Sequence, residues 1–282
     1  MTQLRGLKVA GFLLLPVLWS SGSFAQTKDI TAYITFFGLE KMVAHYKRMC
    51  VSVKVPQEGD TIFSSGFLVN TKRYVFAVTS NHGVPEDSAI VSVNVEGGKR
   101  EEIIGTVVAR SPGKDAVVLL VDLPRKRPDV LTLGLSAFDT ADTPNSPLRE
   151  GAGVVFLGFP LRRGLAAPEQ GRLSPVCRMG IVASRDPGSI WFLIDGFASH
   201  GNSGSPVFSV NGSLLVGMLS SVKSDHIKLY DERGESAVSL PYNSGLAEAI
   251  TAQALVDLIR LGEVNSDDLI KKVSGQLKAP SK

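Results

Sequence analysis

Gly201-Asn202-Ser203-Gly204-Ser205-Pro206 is the stretch on which the reading of this chain turns. Glycines around a serine permit a tight turn, because a residue without Cβ reaches left-handed conformations at little steric cost. Such a turn exposes the serine hydroxyl and aims backbone N–H groups inward. If Ser203 is a nucleophile, its own N–H and that of Gly201 are placed to form an oxyanion hole. A serine hydroxyl attacks weakly until a neighbouring base takes its proton. Four histidines are available. His45 falls in a helical pattern near the N-terminus and is expected at the surface. His226 falls in the polar stretch 222–236, read as a solvated loop. His200 lies three residues before Ser203, where it can face substrate but is a poor base. His82, in Val78-Thr79-Ser80-Asn81-His82-Gly83 after an apolar run, is the best candidate. A catalytic histidine needs a carboxylate to fix its tautomer and stabilise the imidazolium. Asp115 fits, at the head of Ala116-Val117-Val118-Leu119-Leu120. An acid there is often only a turn residue; its place between His82 and Ser203 in the chain adds weight.

Outward from these residues the chain reads as all-β. Phe36, Leu39, Met42, Val43 and Tyr46 have helical spacing, predicting an amphipathic helix within 30–49. Six short β-branched or aromatic runs follow, at 50–55, 62–69, 74–79, 90–95, 103–109 and 116–121, most separated by turn residues. The proline-bearing stretch 123–150 reads as a connection, with a short strand at 131–135. Six further runs occupy 153–159, 176–183, 190–194, 206–210, 214–220 and 237–240, before a helical pattern over 246–261. Six strands, a linker, six strands and a closing helix imply two antiparallel barrels. No short-period repeat points to a propeller or solenoid.

Composition agrees and excludes alternatives. The 28 glycines and 15 prolines among 282 residues suit a fold of many turns, and 44% apolar content excludes disorder. A net charge of +3 gives no electrostatic case for nucleic acid as a partner. Residues 1–25 read as a secretory signal: Arg5 and Lys8, then an apolar run over 9–19, then Ser23-Phe24-Ala25 as a cleavage site. That run falls well short of the ~20 residues a spanning helix needs. Cleavage after Ala25 would leave 257 residues with a charge of +1, and no membrane span is expected in them. Export permits disulfides. Cys50 and Cys177 are the two cysteines; a bridge and two buried thiols remain equal alternatives, since spacing does not decide.

The motifs together resemble the trypsin-like, chymotrypsin-fold serine peptidases, and among them the bacterial HtrA-type group and its single-domain relatives. The resemblance runs from about Ser64 to Asp257. Ser65-Gly66-Phe67-Leu68-Val69 looks like that group's Gly-Ser-Gly-Phe strand motif, with a serine in place of its first glycine. Thr79-Ser80-Asn81-His82 looks like the base motif and Lys114-Asp115-Ala116-Val117 like the acid motif. Residues 195–206 look like the nucleophile segment, while 180–184 and Gly245-Leu246-Ala247 look like the later strand and the entry to the closing helix. The order His, Asp, Ser is that of chymotrypsin, unlike subtilisin or the α/β-hydrolases. The resemblance implies an all-β chymotrypsin-like fold of two six-stranded antiparallel barrels with an N-terminal and a C-terminal helix. It also implies peptide-bond hydrolysis by His82, Asp115 and Ser203 through an acyl-enzyme, without metal or cofactor, on a protein or peptide substrate. The expected organisation is signal 1–25, helical segment 26–49, peptidase domain 50–262 and tail 263–282. Within the domain, barrel one spans 50–122, linker 123–150, barrel two 151–245 and closing helix 246–262.

Departures from the family carry information. Asn202 stands where digestive trypsins have an aspartate that pairs with a newly cut N-terminus, so no zymogen cleavage is expected. Only 37 residues follow Gly245, so no PDZ domain is expected among them. The segment also looks like bacterial glutamyl endopeptidases, but Leu219 stands where those carry a substrate-reading histidine. Phe197 replaces the pocket-base aspartate that selects Lys or Arg. Phe197, Ala198, His200, Leu219 and Ser220 are the expected substrate contacts, favouring a small or medium apolar P1 side chain. The competing reading is a protease-like binding or chaperone protein, which has no need of all three catalytic residues. An α/β-hydrolase is disfavoured because Ser205 stands where its elbow needs glycine. Location is expected to be secreted or periplasmic; the oligomeric state is not legible.

Overall fold

Strands with few polar positions need cover on both faces, and this chain supplies it three times over. The computed structural model describes residues 36–276 apart from 97–98, 125–126, 141–145, 161–164, 168–171 and 231–235. The expected signal and part of the expected tail lie outside the described residues. Helix α1 (Phe36–Lys47) precedes β1 (Cys50–Gln57), β2 (Asp60–Asn70), β3 (Val75–Ser80), β4 (Ser88–Asn94), β5 (Arg100–Ser111) and β6 (Ala116–Val121). These six strands pair antiparallel in the order β1-β4-β5-β6-β3-β2, and β2 closes back on β1. A short β7 (Leu133–Gly134) in the linker adds parallel to β2.

The second half contains β8 (Gly153–Gly158), a small hairpin of β9 (Leu165–Ala167) and β10 (Arg172–Ser174), and β11 (Val176–Ser184). After them come β12 (Trp191–Asp195), β13 (Pro206–Ser209), β14 (Leu215–Tyr230), β15 (Ser236–Thr251) and α2 (Ala252–Gln276). Strands β11-β12-β15-β14-β13-β8 close a second barrel. The expected two six-stranded antiparallel barrels are therefore present, each closed on itself so that its strands pair on both sides within the barrel.

Inward-facing side chains fill each barrel. Val51, Val53, Leu68, Ala77, Val91 and Leu119 pack inside the first, and Phe156, Ile194, Val207, Val216 and Ala249 inside the second. The opposite faces of the same strands form a third cluster. Phe67, Phe76 and Val118 from barrel one meet Leu157, Phe208 and Met218 from barrel two, with Met42 of α1 and Leu255 and Ile259 of α2. Burial on both faces is why these strands read as continuous apolar runs. Tyr46 of α1 stacks on Phe208 at 4.1 Å and donates its hydroxyl to the Ser213 carbonyl.

Three boundaries depart from expectation. Residues 246–251 are not helix: they finish β15, with Ile250 opposite Trp191 and Ala247 opposite Ile194. Barrel two thus extends past 245, because Ala247 and Ala249 alternate into its core. Helix α2 starts at Ala252 and continues to Gln276, through much of the expected tail. Long-range bonds hold that extension: Asn265 Nδ2 donates to the Val108 carbonyl at 2.6 Å, and Asp267 accepts from Arg73 and Tyr74. The expected loop 222–236 is largely the outer part of β14, paired with β15 from Ser224↔Asn243 to Tyr230↔Ser236. Cross-strand partners such as Ile227 and Leu240, and Asp225 and Tyr242, share one face of this exposed ribbon.

Candidate active site

Strand β3 delivers Asn81 and His82 just past its end, and the turn before β6 delivers Asp115 beside them. Pro112–Lys114 forms one 3-10 turn, and Asp115 caps it in the left-handed region at φ 46°, its amide donating to the Pro112 carbonyl at 3.0 Å. Aspartate tolerates that conformation better than most residues. The Asn81 amide donates to the Asp115 carbonyl at 3.1 Å, and the His82 amide to Asp115 Oδ1 at 3.0 Å. One bond between main chains and one from main chain to carboxylate thus tie the two turns together.

The His82 ring then meets the carboxylate, Nδ1 lying 2.9 Å from Oδ2 and 3.0 Å from Oδ1 of Asp115. The Ser220 hydroxyl donates to Oδ2 at 2.5 Å. The His82 side chain is 55% exposed and that of Asp115 20%, so the imidazole reaches the cleft while its partner is shielded. The bond to Asp115 raises the His82 pKa above its ordinary 6.5; burial opposes this and the carboxylate charge adds to it. Burial alone would push the Asp115 carboxyl up. The bonds from the His82 ring, the Ser220 hydroxyl and the His82 amide outweigh it, leaving the carboxyl below its usual value.

Ser203 arrives from barrel two, in the turn between β12 and β13. Gly201 and Gly204 take φ of +90° and +85°. A Cβ on Gly204 would lie 1.9 Å from the Ser65 carbonyl oxygen, so only glycine fits there. Main-chain bonds fix the turn: Asn202 N–H donates to Ser199 O, Gly204 N–H to Leu219 O and Ser205 N–H to Asn202 O. The amides of Gly201 and Ser203 donate to no acceptor among the described residues. A pair of free N–H groups beside a serine hydroxyl is suited to hold a developing oxyanion.

His82 and Ser203 line one cleft of about 550 Å³. Phe197, His200 and Ser220 line it too. Ala198 and Leu219 do not: both are fully buried in the barrel-two core, which corrects their expected role as substrate contacts. Their apolar side chains follow the inward face of the barrel, while the ribbon supplies the cleft wall instead. Val222 and Ser224 of β14 and Pro241, Tyr242 and Asn243 of β15 provide it. Sequence reasoning missed these residues; the alternation of Ile227 and Leu229 with Lys228 was the available sign of a strand. Arg178 was missed as well. It donates to the Phe197 carbonyl at 2.6 Å, and its guanidinium lies 5.0 Å from the centre of the Phe197 ring. His45 and His226 are exposed and outside the cleft. Among the described residues no group of His, Cys, Asp and Glu could hold a metal ion.

Residues 64–218, just over half of the chain, match the family model of the trypsin-like peptidase domain. A periplasmic serine endoprotease DegP-like protein of Bartonella henselae is 30% identical over 159 residues, covering 54% of this chain and 27% of that protein. Its counterpart in Brucella suis is 27% identical over 157 residues, covering 54% and 26%. The chain thus spans about a quarter of the length of these curated relatives. The solved serine endoprotease of Yersinia pestis superposes with a TM-score of 0.54 at 18% identity, over 79% of this chain and 66% of that one. The HtrA-type protease AlgW superposes with a TM-score of 0.52 at 19% identity, over 78% and 62%. At these identities the superpositions speak for the fold.

Proposed function

Because the chain belongs to the trypsin-like peptidase domain family, we propose that it is a serine endopeptidase acting through Ser203, His82 and Asp115. The observation that carries this reading is the His82–Asp115 pair in the cleft that Ser203 also lines. With Nδ1 held by Asp115, the Nε2 of His82 is the nitrogen free to act as base. It takes the Ser203 proton as Oγ attacks the scissile carbonyl, and the Gly201 and Ser203 amides receive the oxyanion. The imidazolium returns the proton to the leaving amine, giving an acyl-enzyme. Water, deprotonated by the same nitrogen, then releases the carboxylic acid.

Among the described residues that line the cleft, none besides the histidines is acidic or basic, which favours a neutral P1 side chain over Lys, Arg or Glu. Tyr242 and Phe197 give it aromatic surface, so the apolar preference rests on them rather than on Leu219 or Ala198. The peptidase unit is taken to run from 50 through α2. Secretion by way of residues 1–25 and a periplasmic location are part of the proposal, supported by the periplasmic description of the relatives. Among the described residues no helix is long and apolar enough to cross a membrane.

The test is covalent labelling of the full chain by a fluorophosphonate. Wild type is expected to label at Ser203, Ser203→Ala not at all, and His82→Ala more slowly by roughly 10⁴-fold or more. A folded wild-type chain that takes no label would replace this reading with the binding or chaperone one.

A further inference from the structure

We propose that the Ser65 hydroxyl is a positioning residue for the oxyanion loop, holding the Gly201 carbonyl toward barrel one so that the Gly201 and Ser203 amides stay aimed at the cleft. The inference rests on the peptidase reading of that cleft.

Ser65 lies on β2, in the other barrel from the loop it touches. Its Oγ donates to the Gly201 carbonyl at 2.6 Å and accepts from the Phe159 amide at 2.9 Å, just past β8. Its own amide donates to the Ser203 carbonyl at 2.8 Å. One residue therefore binds two alternate carbonyls of the loop. Ser65 is itself held, because Thr79 Oγ1 donates to its carbonyl at 2.6 Å and lies 3.1 Å from Ser64 Oγ. Ser65 is completely buried, so no water replaces a lost bond cheaply.

Peptide units are planar, so turning a carbonyl toward one side turns the following N–H to the other. The Gly201 carbonyl faces Ser65 while the next amide, of Asn202, donates to Ser199. The Ser203 carbonyl faces Ser65 while the Gly204 amide donates to Leu219. Between these two anchored units the Ser203 amide is left without an acceptor among the described residues. The Gly201 amide precedes the first anchor and likewise donates to no acceptor among the described residues. Gly201, at φ +90°, has no Cβ to keep it there. Without the Ser65 hydroxyl, the restraint on its peptide among the described residues comes from the Asn202 amide and side chain alone. The space beside Ser65 is fitted to this task. A Cβ on Gly158 would lie 2.6 Å from Ser65 Oγ and 2.0 Å from Ser205 Oγ, so only glycine leaves the hydroxyl its room.

The experiment compares Ser65→Ala and Ser65→Cys with wild type on a peptide amide substrate and a peptide boronate, whose tetrahedral adduct mimics the transition state. A cysteine preserves the packing but donates weakly. Both variants are expected to lose about 10- to 100-fold in kcat and in boronate affinity, with KM unchanged, since one oxyanion donor is worth ~10²–10³. A Cys variant that matches wild type in kcat would reduce Ser65 to a space-filling role and overturn the proposal. So would an Ala variant whose loss lies in KM alone. If wild type itself takes no fluorophosphonate label, the peptidase reading fails and this inference with it; if wild type labels and the Ser65 variants keep full kcat, this inference alone fails.

Discussion

At His82 the bond to Asp115 favours the imidazolium, burial disfavours it, and the bond prevails. On the proposed mechanism only neutral imidazole can take the Ser203 proton. Activity should therefore rise with pH through an acid limb displaced above the ordinary histidine value of 6.5. Asp115→Asn removes the carboxylate charge without straining the turn, since asparagine also accepts φ near +46°. Its amide can donate to Nδ1 and so favour the wrong tautomer. We expect kcat to fall by about 10⁴ and the acid limb to move to lower pH, because burial then acts almost alone. A pH–rate profile of kcat/KM checks both; an acid limb unmoved in the variant would mean that Asp115 does not set the His82 proton affinity. The same scale settles the cysteines. Cys50 and Cys177 are free thiols, and burial pushes the Cys50 thiol far up, away from the reactive thiolate.

Two elements differ in how firmly the fold holds them. Helix α2 packs Leu255, Leu258 and Ile259 into the inter-barrel cluster and is tied by Asn265 and Asp267 beyond it. The outer half of the β14–β15 ribbon is held mainly by cross-strand pairing, and residues 223–230 are exposed throughout. A two-stranded ribbon by itself is marginal in water. Amides of 225–230 should therefore exchange on the order of 10²-fold faster than those of β3 and β6, measured by hydrogen–deuterium exchange. Equal protection would mean that something covers the ribbon in solution. These elements also mark where the sequence was hard to read. Leu246–Ile250 satisfy a helical apolar pattern and a strand pattern alike, and pairing with β12 decides for the strand. The segment 222–236 has its alternation diluted by Ser, Asp, His and Lys, so its pairing was hidden.

The catalytic candidates are split between the barrels: His82 and Asp115 come from the first and Ser203 from the second. One apolar cluster joins both barrels and both helices, so neither barrel can open without exposing the other's outer face. Urea should accordingly abolish ellipticity, Trp191 fluorescence and the proposed peptidase activity over one range, as a shared core demands. A separate transition for either barrel would contradict that coupling. By itself the sequence indicated two barrels of six strands each, though not the β9–β10 hairpin, and singled out His82, Asp115 and Ser203 as candidates. Those follow from local patterns: short β-branched runs between turns, and glycines that only a sharp turn requires. Tertiary structure decided the rest of the cleft lining. Ala198 and Leu219 went inward and Tyr242 and Asn243 came to the wall because barrel closure and ribbon pairing assign each residue its face. Closure also brought Ser65 from a distant strand onto the Gly201 carbonyl, a contact between residues 136 apart that no local pattern encodes.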